Sequence, residues 1–144
     1  MPQPQAGIIP DPIPNALFLI LRVREPATHG PTVAKVIGRR KPDSKELSDR
    51  AKPPMAHISR VVIEEHGEEL EIVRHSFPYG TVSESGLFFI AYTKTLATPE
   101  KMLSRMMSTT GDGLHDHLMD YTQAVSGVTF FAPSLEVLKS LGSR

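Results

Sequence analysis

The chain has 144 residues, enough for one ordinary domain built around a single core. Its 16 Lys plus Arg balance its 16 Asp plus Glu, so no net charge draws it to nucleic acid or to an anionic membrane surface. There is no Cys, which excludes disulfides and thiolate-bound zinc and suits a reducing cytoplasm.

Pro2, Pro4, Pro10, Pro12 and Pro14 make residues 1–15 a poor helix start and predict an extended arm. The apolar run Ala16–Leu21 is far shorter than the ~20 residues a membrane helix needs. No basic segment precedes it, so it is unlike a secretory signal and the expected location is the cytoplasm. Residues 16–24, ALFLILRVR, read as a central strand that ends in solvent.

A short helix follows, with Gly30 as cap, Pro31 in the first turn, and Val33, Val36 and Ile37 on one face. From Lys41 to Met55 the chain is polar and broken by Pro42, Pro53 and Pro54, a long connection of the kind that often carries function. RVVIEE and ELEIVRHS flank the turn-prone pair His66-Gly67 and predict a hairpin or a strand with a kinked return.

GLFFIAYTK, residues 86–94, is a further β run. Thr98-Pro99-Glu100 opens a helix whose buried stripe is Met102, Leu103, Met106 and Met107, closed by Gly111. These methionines read as core filler, not as iron ligands. A short helix over His115–Tyr121, a strand over Gly127–Pro133 and a Ser134-capped helix with Leu135, Leu138 and Leu141 on one face complete the chain. The order β-α-β-β-α-β predicts an α+β, ferredoxin-like fold: one antiparallel sheet with helices on one face, in a single domain over residues 1–144.

Two patterns bear on chemistry. In a strand running from Glu69, Leu70, Ile72 and Arg74 share one face, which puts a guanidinium among apolar side chains and calls for an anionic or polarisable ligand. An Arg that snorkels to solvent at a strand end fits the same spacing. None of the six His forms a zinc signature such as HExxH. His115-Asp116-His117 with Asp120 has the donor types for a divalent metal, although such residues more commonly form the solvated face of a short helix.

The stretch PPMAHISRVVIEEHGEELEIVRHSFPYGTVSESGLFFIAYTK, with GDGLHDHLMDYTQAVSGVTFFAPS after it and IGRRKPDSKEL before it, resembles the haem-carrying C-terminal part of the DyP-type (dye-decolorizing) peroxidases. PQAGII and ALFLILRVREP resemble the start of the family's first domain, which implies that an internal stretch is missing. The resemblance implies a haem b cofactor with His57 as the axial iron ligand and Arg74 as the distal arginine. Ser76 stands where the family often has a polar distal residue. The carboxylate expected to take the other N–H of His57 is Asp120, with Asp116 second. Arg39 and Arg40 would pair with the haem propionates, although a basic helix end accounts for them equally well.

The activity so implied is peroxidation: peroxide oxidises ferric haem, which then takes electrons from a small dye-like or phenolic donor. The family's GxxDG loop with its distal aspartate is absent from the sequence, so turnover is expected to be weak. Proton movement would then fall to water, His75 or a second subunit. A non-catalytic haem binder, a haem-free dimerising module and a fragment without function of its own are the alternatives. Without a companion repeat to cover its surfaces, the chain is expected to form a homo-oligomer, in the simplest case a dimer.

Overall fold

A computed structural model describes residues 15–23 and 32–142; the expected arm, and the Gly30 and Pro31 helix start, lie outside these residues. The four long strands are β1 (Asn15–Val23), β4 (Val73–Gly80), β5 (Ser85–Thr93) and β6 (Thr122–Phe131). They form one sheet in the order β4-β5-β1-β6, with every neighbouring pair antiparallel. First and third long strands at the centre, second and fourth at the edges: this is the ferredoxin-like arrangement predicted from element order. A register shift between Ile20 and Leu21 bends the pairing of β1 with β6.

The hairpin is shorter than predicted. Only Glu64–Glu65 (β2) and Glu68–Glu69 (β3) pair, and His66 and Gly67 both take positive φ, 56° and 82°, as a type I′ turn requires. Arg60 and Val61, read as strand, instead close a one-turn helix, α2 (His57–Val61), after α1 (Val33–Ile37). The chain leaves extended pairing at Leu70–Ile72 and re-enters it at Val73, so β4 starts later than the alternation suggests. Leu70 and Ile72 pack on Val61, Ile63 and Met102, the small apolar core beneath the helices.

Gly38 caps α1 at φ 90°, and a Cβ there would lie 2.3 Å from Ile58 Cγ2. Only glycine lets α1 approach α2 this closely while turning the chain so sharply. α3 (Ala97–Met106) begins one residue before Thr98, and its predicted stripe is only partly inside: Met102 is buried, whereas Met107, beyond the helix end, is 54% exposed. α4 is the single turn Leu118–Tyr121. α5 (Leu135–Leu141) has the expected cap, Ser134 Oγ accepting from Val137 N–H at 3.3 Å, but Leu135, Leu138 and Leu141 all face solvent. No helix among the described residues is long and apolar enough to cross a membrane.

Two arginines hold α2 to α3. Buried Arg60 donates from Nε and Nη2 to the Arg105 carbonyl (2.9 and 2.7 Å) and from Nη2 to the Leu114 carbonyl (3.3 Å), and it pairs with Asp112 at 2.9 Å. Arg105 answers with bonds to the Val62 and Ser59 carbonyls, both 2.9 Å, at the C-terminal end of α2. Burial and the nearby Arg60 charge lower the Arg105 pKa from its ordinary value. The N–H of Leu114, followed by Arg60, holds the Asp112 carboxyl below the usual carboxylate range.

Arg60→Ala should therefore destabilise the fold by about 2 kcal/mol or more, since each buried carbonyl it strands costs about 1–3 kcal/mol; chemical denaturation measures this, and a neutral change would contradict it. Because the Asp112 pKa is depressed by folding, its contribution is complete above the ordinary value near 3.9 and is lost as the pH falls through the lower folded value. The stability gap between the wild type and Asp112→Asn should narrow below about pH 4. A gap independent of pH would refute the assignment.

Candidate functional site

Between the helices and the sheet lies a recess of about 160 Å³ whose polar lining is His57, Arg74 and Ser76 and whose walls include Val61, Leu87, Phe89, Met102 and Leu118. A second recess of about 640 Å³ shares Ile72, Arg74 and Met102 with it and extends to Arg39 and Tyr92. The strands present these groups by simple alternation. Arg74 pairs with Ala91 and Ser76 with Phe89, so Arg74, Ser76, Leu87 and Phe89 share the helix-facing side of the sheet.

His75 lies on the opposite face, across from Ile90, where its ring stacks on Phe77 at 6.2 Å between centroids. It is thereby removed from the recess and from the proton-carrying role open to it in the sequence. Arg74 sits on an exposed edge strand, and among the described residues no carboxylate or carbonyl is paired with it. The guanidinium thus keeps its donors for a ligand.

His57 is the first residue of α2, and its Nδ1 lies 2.6 Å from Asp116 Oδ2. A carboxylate only accepts, so Nδ1 is the donor and Nε2 is the nitrogen turned away from Asp116. Asp116 is fully buried, and its second oxygen accepts from Leu118 N–H at 2.8 Å. The backbone around it is fixed twice more: Asp116 N–H donates to the Met106 carbonyl (2.9 Å) and His117 N–H to the Met55 carbonyl (2.8 Å). The 115–117 segment is thereby tied to the end of α3 and to the residue two places before His57.

The carboxylate on His57 is therefore Asp116, the second candidate, and not Asp120. Asp120 binds His115 Nε2 (2.9 Å) and His117 Nδ1 (3.0 Å) instead, outside the recess lining. Asp120 is on a helix and Asp116 is not, yet it is the non-helical residue that the Met55 and Met106 bonds turn inward. Arg39 lines the larger recess while bonding to the Ser44 carbonyl at 3.0 Å. Arg40 pairs with Asp43 and lines neither recess.

The donor set fits a group with apolar surface that carries a metal and anionic edges, with Glu69 and Glu71 as well as Arg39 lining the larger recess. The small recess alone is below the roughly 300–1,000 Å³ of cofactor pockets, so such a group would occupy both. His57 offers Nε2 to a metal, Arg74 and Arg39 offer cations to anions, and the walls supply apolar contact.

A family model described as Dyp-type peroxidase, C-terminal, matches residues 32–137. The dye-decolorizing peroxidase of Mycolicibacterium paratuberculosis is 42% identical over 106 residues, 72% of this chain and 30% of that protein. That of Mycobacterium tuberculosis is 40% identical over 107 residues, 72% of this chain and 32% of its own. The chain thus spans about a third of these relatives' length. Among solved structures, a dye-decolorizing protein from V. cholerae superposes with a TM-score of 0.78 at 44% identity, covering 88% of this chain and 43% of that one. A DypB variant from Rhodococcus jostii RHA1 in complex with haem gives 0.79 at 32% identity, covering 90% and 44%. Matched by the family model over residues 32–137, by these relatives over 72% of its length and by solved structures over 88–90% of it, this chain belongs to the DyP-type peroxidase family, of which it represents the C-terminal part.

Proposed function

We propose that this chain binds haem b in the double recess, with His57 Nε2 as the axial iron ligand, and performs slow peroxidase chemistry on hydrogen peroxide and a small dye-like or phenolic donor. The observation that carries this reading is His57 held by buried Asp116 while Arg74 stands unpaired in the same recess. Haem, when bound, supplies the redox chemistry, and the chain supplies position and charge.

Asp116 orients the imidazole and makes it a stronger donor to a metal at Nε2. Arg74 holds a positive charge where negative charge grows on the departing peroxide oxygen, a role worth about 10²–10³ in rate. Ser76, on the same face, can hold a water beside it. Arg39, which also pairs with Glu46 at 3.9 Å, takes an anionic edge of the cofactor; Arg40, committed to Asp43, would have to break that pair to join it. No acid from a GxxDG loop is present in the sequence and His75 faces away, so water or a group from a second subunit must carry the proton, at a cost of about 10²–10⁴ in turnover. The Cys-free composition suits a cytoplasmic setting.

Reconstitution with haemin, an absorption spectrum and a peroxide titration test the cofactor and the chemistry together. His57→Ala should abolish or shift the Soret band, and His115→Ala should leave it in place. Arg74→Leu should lower oxidation of an easy donor about 10²–10³-fold with haem still bound. An unchanged His57→Ala spectrum, or indifference of turnover to Arg74→Leu, would overturn the corresponding role.

We also propose that the chain forms a homodimer through the sheet face turned away from the helices. That face carries Val73, Phe77, Val128 and Phe130, all 45–55% exposed, with Phe88 and Ile90 between them. Contiguous apolar surface of this kind is uncommon on monomers. Light scattering should give a dimer mass at micromolar concentration, reduced to a monomer by Phe77→Glu; a wild-type monomer across that range would refute it.

A further inference from the structure

His115, His117 and Asp120 have no part in the recess, yet they converge. The Asp120 carboxylate accepts from one imidazole at each oxygen, at 2.9 Å from His115 Nε2 and 3.0 Å from His117 Nδ1. The two rings stand edge to face, 5.9 Å between centroids, and one donor atom from each of the three residues lies within 4.8 Å of the other two. Their side chains are 39%, 23% and 46% exposed, so the cluster opens to solvent on one side while its backbone is anchored on the other by the Asp116 and His117 N–H groups.

We infer that His115, His117 and Asp120 form a surface site for a divalent transition metal of the zinc class. Zinc bonds of about 2.0–2.2 Å in a tetrahedron set neighbouring donors about 3.3–3.5 Å apart. One Asp120 oxygen and one nitrogen of each ring already lie within 4.8 Å of one another, so the set need close by at most about 1.5 Å to reach this spacing. Each ring can move its proton to its other nitrogen, so a neutral imidazole presents a lone pair without losing its hydrogen. Two nitrogens and one carboxylate oxygen leave the fourth position to water, on the exposed side.

The chemistry selects among ions. Two imidazoles with one carboxylate favour zinc, nickel or copper over manganese, magnesium or calcium, which prefer oxygen.

Calorimetric titration of the full, tag-free chain with zinc chloride tests the site. The expected result is one equivalent bound with micromolar or tighter affinity, manganese chloride binding at least tenfold more weakly, and His115→Ala and Asp120→Asn each weakening zinc at least tenfold. Both substitutions are at half-exposed side chains, and unchanged circular dichroism verifies the fold. As a check on the wild type alone, zinc should perturb the amide resonances of residues 115–120 before all others. No binding at millimolar zinc, wild-type affinity in the folded variants, or first perturbation at His66 or His75 would each overturn the assignment.

Discussion

A carboxylate with no solvent around it must be bonded on every side, and the architecture of this chain follows from how Asp116 meets that demand. One oxygen takes the His57 ring and the other takes the Leu118 amide, while the backbone on either side is bonded to Met55 and Met106. Those contacts draw the start of α2, the end of α3 and α4 to a single point. The orientation of the His57 ring is therefore settled by the fold, before any ligand arrives, and its free nitrogen is aimed where a ligand can use it.

The same economy explains why a recess exists at all. The helices are held to one another by the reciprocal bonds of Arg60 and Arg105, more than by close packing on the sheet. The buried apolar side chains among the described residues are Val36, Ala56, Ile58, Val61, Ile63, Ala91 and Met102, a small set for two layers. Space is left between the layers, walled by Ile72, Leu87, Phe89 and Leu103 and crossed by few polar groups.

Much of this was legible in the sequence, and the exceptions have physical causes. Strand order, the α3 helix and the Ser134 cap follow from periodicity and cap chemistry, which act locally. The early end of the hairpin was hidden because Arg60-Val61-Val62 has strand-like composition, whereas tertiary bonds from Arg60 to Arg105 and Leu114 favour a helical turn. Alternation placed Arg74 beside Ile72 in the recess, but its exposure on an edge strand could not be read from spacing. The choice between Asp116 and Asp120 depended on backbone bonds to Met55 and Met106, many residues distant, and no local signal carries those. Family resemblance pointed to His57, and geometry supplied its partner.

On the proposed function, Asp116 governs the donor strength of His57 toward iron. Resonance Raman spectroscopy of the reduced, haem-loaded protein reads this directly through the iron–histidine stretch. The account predicts that Asp116→Asn, which keeps the shape but removes the charge, lowers that frequency while Asp120→Asn leaves it unmoved. An unaltered frequency in Asp116→Asn, or an equal fall in Asp120→Asn, would contradict it.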